Sequence, residues 1–236
     1  MFFASSPFKP SALLGVFFLC QLSPAFAKHY RVYLLGGQSN GNGRGDAAEL
    51  SVAPLDSKGL DAPQTDVYFY WHKTQNTTNG NLTQDTWIDL QPVSGHAVNS
   101  PSGHELEFGS ELSFGRAMAD NDPNVNVAII KYTEGGTNLH TQWSASGAQY
   151  LTFVATVEAG LAALETDGHT YEIGGMVWIQ GESDTGSANA ANYEANLTDL
   201  IQRVRQDVFD GLCPVATPSP SSSAGFLTAS KPTSPQ

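Results

Sequence analysis

Cysteine is scarce in this sequence, which contains only two cysteines among 236 residues. Cys20 lies in an apolar leader that we expect to be removed, so Cys213 would be left without a partner. The chain therefore cannot build a disulfide framework or a cysteine-based metal site. We predict no metal and no cofactor.

Positive charge is also scarce, since 11 lysines and arginines stand against 23 aspartates and glutamates, giving a net charge of −12 at pH 7. An acidic protein is repelled by nucleic acid and by anionic membranes, which argues against both as partners. A neutral sugar polymer or a small ester remains compatible with this charge. The sequence does not predict the oligomeric state.

An apolar run near the N-terminus has the length of a signal-peptide core. Residues 12–22 follow the positive charge of Lys9 and precede the small-residue pattern Ala25-Phe26-Ala27, which is typical of a cleavage site. The run is shorter than the roughly 20 apolar residues that span a bilayer. We expect residues 1–27 to be a signal peptide and the mature protein to be secreted, into the medium or a periplasm.

Strand and helix patterns alternate beyond the leader. Strands are predicted at residues 31–35, 67–71, 125–131 and 173–179, and helices at 110–120, 148–164 and 189–209. This alternation predicts one domain over residues 28–212, with a parallel sheet covered by helices.

Residues 213–236 differ from the rest, because proline, serine, threonine and alanine dominate them. Such a segment buries too little apolar area to offset the entropy of ordering, so we expect a disordered tail. The sheet would then end at residues 173–179 and leave one edge unpaired, which favours aggregation.

Polar motifs follow three of the predicted strands. Residues 37–41 read GQSNG, residues 134–137 read EGGT and residues 180–184 read QGESD. Ligands of open parallel sheets bind outside the carboxyl ends of the strands, where all three motifs would meet. The sequence therefore predicts an active site at this edge.

Ser39 is the candidate nucleophile, because a serine in a tight glycine turn after a strand presents its hydroxyl above the sheet. Residues 37–41 also fit the G-x-S-x-G elbow of α/β-hydrolases, but that elbow follows several earlier strands, whereas Ser39 follows the first. A serine that only caps a helix is the alternative.

Four motifs together resemble a known family. GQSN, FGSELSFGRAMA at residues 108–119, GGTNL with Trp143 nearby, and WIQGESD at residues 178–184 look like the sialate O-acetylesterase-like branch of SGNH hydrolases. That branch is grouped with carbohydrate esterase family six, the acetylxylan esterases. The resemblance runs in the family's order from Arg31 to Phe209.

The resemblance implies a three-layer α/β/α flavodoxin-like sandwich and a secreted carbohydrate O-acetylesterase that acts on an acetylated carbohydrate through a serine nucleophile. Ser39 matches the nucleophile, Gly109 the glycine whose N–H joins that of Ser39 in the oxyanion hole, and Gln180 the third donor. Gln180 could instead be a polar strand-end residue bonded to a neighbouring loop.

The remaining site residues have two readings each. Glu182 matches an acid that orients the catalytic histidine in some members, but it could equally fix its loop or cap a helix with Asp184. Trp143 could stack on a sugar or pack into the core. The substrate-binding candidates are Gln38, Asn40, Gly135, Gly136, Thr137 and Trp143, although the two glycines could mark only a turn.

The chain departs from the family in one respect. Members carry a C-terminal D-x-x-H block whose histidine deprotonates the serine, whereas the last histidine here is His169, which precedes QGESD. We expect His169 at the far end of the sheet. Four further histidines are expected on loops or loop edges: His72, His96, His104 and His140. Of these, His140 and His104 are the candidate substitute bases.

Two interpretations of this loss remain. The chain is either an esterase with impaired activity, whose C-terminal part is absent or frameshifted, or a non-catalytic carbohydrate-binding relic of the same fold. An intact reading frame past the codon for Asp210, with no D-x-x-H downstream, would exclude the frameshift. A lipase or thioesterase is less favoured, since no long apolar lid is visible.

Overall fold

The computed structural model describes residues 27–53, 58–73, 84–92, 107–212 and the backbone of 225–228. The signal peptide predicted at residues 1–27, His96 and His104 lie outside these ranges, except for Ala27. Within them, no helix is long and apolar enough to cross a membrane.

A six-stranded sheet forms the centre of the molecule. Its spatial order is β4-β3-β6-β1-β7-β8, and every neighbouring pair is parallel except β3 and β4. The strands are β1 (His29–Gly37), β3 (Gln64–His72), β4 (Ile88–Leu90), β6 (Asn126–Thr133), β7 (Thr170–Ile179) and β8 (Gly225–Thr228). A separate antiparallel pair joins β2 (Gly45–Asp46) to β5 (Glu107–Phe108).

The central strands are buried on both faces, as continuous apolar runs predict. Every residue of β6 after Asn126 is buried, and β1 lies between β6 and β7. The register sets Leu35 opposite Lys131 and Gly37 opposite both Thr133 and Ile179. The carboxyl ends of β1, β6 and β7 therefore meet at one edge.

Helices cover both faces and make three layers. On one face, α2 (Glu111–Asn121) buries Leu112 and Ala119 against the sheet. On the other, α3 (Ala148–Thr166) and α4 (Ser187–Val204) contribute to one buried apolar cluster, and α4 continues as a π-helical segment, Arg205–Asp210. α3 buries residues at helical three- and four-residue spacings, namely Tyr150, Phe153, Val157, Leu161 and Leu164. The α/β prediction is confirmed.

The end of the sheet requires a correction. We expected it to stop at the strand now called β7, but Gly225–Thr228 forms β8, which pairs in parallel with residues 175–178 of β7. Backbone hydrogen bonding explains the difference, since a strand can add to an open edge with little apolar sequence. The expected unpaired edge at β7 is therefore wrong over these residues.

Phe153 provides a test of the α3 packing. The Phe153 side chain is fully buried in the core, whereas Leu151, on the same helix, is 55% exposed. We expect Phe153→Ala to lower the free energy of unfolding by about 3–5 kcal/mol, because it leaves a cavity. Leu151→Ala should change it by less than about 0.5 kcal/mol. Urea unfolding of both variants measures this, and similar losses would contradict the packing described.

Candidate active site

Ser39 lies directly beyond the central strand, in the short helix α1 (Ser39–Asn42). Gly37 makes the tight exit possible, because its φ is +144° and a Cβ there would lie 2.1 Å from the carbonyl oxygen of Ile179. The Gln38 N–H donates to the same oxygen at 3.0 Å. The sequence at the end of β1 therefore fixes the direction in which Ser39 leaves the sheet.

The Ser39 side chain is half-buried, and none of the described residues forms a hydrogen bond with its hydroxyl. A Cβ placed on Gly135 would lie 3.9 Å from Ser39 Cβ and 4.0 Å from Arg44 Nη2. The structure thus brings Ser39 together with Gly135, while Gly136 has φ +71° and nothing within 4 Å of a Cβ position.

Gln180, at the end of β7, is the centre of a buried polar network. Its Nε2 donates to Gln38 Oε1 at 3.0 Å, to the Thr137 carbonyl at 3.1 Å and to Asp184 Oδ2 at 2.6 Å. The Tyr193 hydroxyl donates to the Gln180 carbonyl at 2.8 Å and lies 3.1 Å from Oε1. One side-chain amide therefore joins the loops that follow β1, β6 and β7.

This geometry corrects the role assigned to Gln180. Its amide has two N–H groups and already faces three buried acceptors, so no N–H is left to bind an oxyanion. The alternative, a polar strand-end residue bonded to neighbouring loops, describes its contacts. Gln180 supports the site in this arrangement and does not donate into it.

Gln38 also faces inward. It is buried, and its Oε1 accepts from the N–H groups of Gly181 at 3.4 Å and Ser183 at 3.2 Å, in addition to Gln180. The Gln38 oxygen therefore fixes the QGESD loop. These contacts leave the Gln38 Nε2 group unassigned, so a substrate contact of Gln38 stays a prediction.

Asp184 is a site residue whose role the sequence did not reveal. It is buried, and its carboxylate accepts from the N–H groups of Leu139 at 2.8 Å and His140 at 3.4 Å as well as from Gln180. The sequence alone predicts for Asp184 only a helix cap beside Glu182. The signal that could have found it is its place four residues after Gln180, within the same motif.

Thr137 and Trp143 lie in the core and not in the cleft. Trp143 is fully buried, with its ring 4.8 Å from that of Trp178, and its Nε1 donates to Thr137 Oγ1 at 2.9 Å. Thr137 Oγ1 donates in turn to the Glu134 carbonyl at 2.7 Å. The sugar-stacking role of Trp143 and the substrate contact of Thr137 are therefore wrong for this arrangement.

Gly109 lies beside the turn that contains Ser39, but the Gly109 N–H already has an acceptor. The N–H donates to Glu111 Oε1 at 2.9 Å within the first turn of α2. Gly109 would bind an oxyanion only if that bond opened, so the predicted donor role does not follow from this arrangement.

Asn40 and Glu182 connect the first and last motifs on the exposed side. The Asn40 side-chain amide donates to the Glu182 carboxylate, and both residues are exposed. Of the predicted substrate-binding residues, Asn40, Gly135 and Gly136 thus remain at the surface around Ser39. Glu182 remains a candidate acid next to the nucleophile turn.

No histidine of the described ranges contacts Ser39. His169 follows α3 at the opposite end of the sheet, as expected, and its Nδ1 accepts from the Lys28 N–H at 3.3 Å. His140 contacts Asn196 on α4, with 3.4 Å between the two side-chain nitrogens, and His72 pairs with Asp85 at 2.8 Å. The structure therefore gives neither His140 nor His72 the contact of a substitute base.

Charged residues underlie the site on the β3 side. Arg44 Nη1 lies 2.9 Å from the fully buried Glu107. Burial, with the nearby charge of Lys131, lowers the pKa of Lys73 to about 8.

Among the described residues no three His, Cys, Asp or Glu side chains are grouped so that they could hold a metal ion.

The family model for carbohydrate esterase, sialic acid-specific acetylesterase, matches residues 29–219. The chain belongs to this family, an SGNH-like group of carbohydrate esterases. The matched range contains the ends of β1, β6 and β7, where the buried network and Ser39 lie. No curated protein sequence matches the chain significantly.

Solved structures show the same fold. A protein from Arabidopsis thaliana is 20% identical, with a TM-score of 0.53, over 78% of this chain and 71% of its own. The structure of NanS is 17% identical, with a TM-score of 0.60, over 86% of this chain and 67% of its own. At these identities the likeness supports the α/β architecture.

Asp184→Asn tests the buried network. The substitution places an NH₂ group against backbone N–H donors, so we expect the free energy of unfolding to fall by about 2–3 kcal/mol. Glu182→Gln, two residues away and exposed, should change it by less than about 0.5 kcal/mol. Urea unfolding measures both, and a neutral Asp184→Asn would contradict the network.

Lys73 gives a prediction that depends on pH. Its pKa is about 8 in the folded protein and about 10.4 when unfolded, so the unfolded chain holds more protons between these values. Lys73 therefore destabilises the fold at pH 7, and this penalty is lost as the pH rises from 8 to 10.

We expect Lys73→Met to raise the free energy of unfolding at pH 7 by about 1–3 kcal/mol, since one pKa unit corresponds to about 1.4 kcal/mol. The gain should shrink towards zero at pH 10. Lys58→Met, at an exposed lysine, is the control and should show no such trend. Equal gains for Lys73→Met in urea unfolding at both pH values would overturn the assignment.

Proposed function

We propose that this chain is a secreted carbohydrate O-acetylesterase whose nucleophile is Ser39. The observation that carries the proposal is the place of Ser39 directly after the carboxyl end of β1 and beside Gly135, with a hydroxyl that bonds to none of the described residues. Membership of the carbohydrate esterase family supports an acetyl ester of a sugar as the substrate. The predicted signal peptide supports export.

The proposed reaction is acyl transfer. Ser39 Oγ attacks the acetyl carbonyl, the sugar hydroxyl leaves, and water then hydrolyses the acetyl-Ser39 intermediate to acetate. The Ser39 N–H has no backbone partner among the described residues and is the proposed donor to the oxyanion. Asn40, Gly135 and Gly136 would contact the sugar, and Glu182 is the proposed acid for orienting a base.

We further propose that the activity is strongly depressed. A serine hydroxyl is a poor nucleophile without a positioned base, and no histidine of the described ranges contacts Ser39. Attack by Ser39 would then be slow, and the turnover that remains would still depend on the Ser39 hydroxyl. The same observation favours a second candidate, a carbohydrate-binding relic.

The test compares p-nitrophenyl acetate hydrolysis by the 236-residue chain, Ser39→Ala and Ser113→Ala. We expect turnover about 10⁴-fold or more below an intact enzyme, removed by Ser39→Ala and kept by Ser113→Ala, whose serine is exposed on α2. Equal turnover of the chain and Ser39→Ala would refute the nucleophile.

Calorimetric titration with an acetylated xylo-oligosaccharide separates the two candidates. Binding without Ser39-dependent turnover would support the relic and overturn the esterase. Turnover near 10 s⁻¹, a median enzyme rate, would contradict the depressed activity and show that another group serves as the base.

A further inference from the structure

A buried ion pair lies beneath the Ser39 turn. Lys131 Nζ on β6 is 2.7 Å from Glu111 Oε2 on α2, and the two side chains are 2% and 0% exposed. Burial lowers the pKa of Lys131, and the charge of Glu111 opposes this effect. Such pairs are expensive to desolvate and often stabilise a fold no more than apolar side chains of similar volume. The other contacts of this ion pair therefore indicate that it has a role besides stabilising the fold.

Lys131 reaches the nucleophile turn directly. Its Nζ donates to the carbonyl oxygen of Asn42 at 2.7 Å. Asn42 is the last residue of α1, the helix that begins with Ser39. The turn is closed by bonds from the Asn42 N–H to the Gln38 carbonyl at 2.8 Å and from the Gly43 N–H to the Ser39 carbonyl at 3.0 Å. A charged donor on a rigid central strand thus holds the far end of this turn.

Glu111 contacts the backbone segment around Gly109, just before α2. Its Oε2 meets Lys131, while its Oε1 accepts the Gly109 N–H at 2.9 Å. The backbones of Gly43 and Gly109 are also in close contact, since a Cβ on Gly43 would lie 2.2 Å from Gly109 Cα. One continuous path therefore runs from the Asn42 carbonyl through both charges to the Gly109 N–H.

We propose that Lys131 and Glu111 are positioning residues that fix the Ser39 turn against the Gly109 segment. Charge-assisted hydrogen bonds are stronger and shorter than neutral ones, so this path holds the two backbone segments more firmly than their contact alone. The expected effect on catalysis rests on the proposed function of Ser39. The expected effect on the conformational order of the Ser39 turn does not rest on that function.

The test uses Lys131→Met, the double variant Lys131→Met/Glu111→Leu and a control. Lys131→Met leaves the buried Glu111 charge without Lys131, which is strongly destabilising, whereas the double variant removes both charges. Arg116→Gln is the control, because Arg116 lies on α2 like Glu111 but forms surface ion pairs, with Asp66 of β3 and with Asp120. Amide hydrogen exchange is followed at Asn42 and Gly43 and along β6.

In the double variant we expect exchange at Asn42 and Gly43 to be at least about tenfold faster, the effect of losing one hydrogen bond to a charged group. Exchange along β6 should stay unchanged, and Arg116→Gln should match the wild type everywhere. If the amides of Asn42 and Gly43 in the double variant exchange at the wild-type rate, the proposal is overturned. Equal acceleration along β6 would also overturn it, because the pair would then act on stability alone.

Turnover of p-nitrophenyl acetate gives a second readout. In the double variant kcat should fall by about tenfold with KM unchanged, because the nucleophile is displaced while the substrate surface is kept. If the wild type shows no Ser39-dependent turnover, the proposed esterase function fails, and hydrogen exchange still decides the positioning role. If the wild type is active and the double variant shows faster exchange at Asn42 and Gly43 but an unchanged kcat, the expected effect on catalysis is contradicted.

Discussion

The arrangement of the site depends on the side-chain amide of Gln180, which is buried where three parallel strands end. Its nitrogen meets acceptors from the β1 loop, the β6 loop and the 3₁₀ turn after β7. A buried amide without these partners would be costly, so the three loops are held together by the need to satisfy it. Asp184 extends the constraint to the N–H groups of Leu139 and His140.

Two supports therefore flank Ser39. On the α4 side, the neutral amides of Gln38 and Gln180 with Asp184 fix the loops that follow β6 and β7. On the α2 side, Lys131 contacts the end of the Ser39 turn and pairs with Glu111. Between them the Ser39 hydroxyl bonds to no other residue of the described ranges. The polar residues of the family motifs serve mostly to build this frame, and fewer of them lie at the surface around Ser39.

The sequence predicted the layers and the edge of the site because periodicity and glycine turns are local signals. It could not predict the direction in which polar strand-end residues point. Gln38 and Gln180 are residue types that are common in binding sites, yet they bond to each other across two loops that are distant in the chain. Trp143 is buried for the same reason, since ring packing against Trp178 depends on the fold. β8 was missed because it adds to the sheet through its backbone.

Residue-resolved hydrogen exchange of the native protein shows whether the buried network holds the loops around Ser39. The N–H groups of Leu139, His140, Gly181 and Ser183 lie outside regular strands, but all donate to Asp184 or Gln38. We expect protection close to that of the β7 strand amides. Exchange at the rate of unstructured loop amides at these four positions would contradict it.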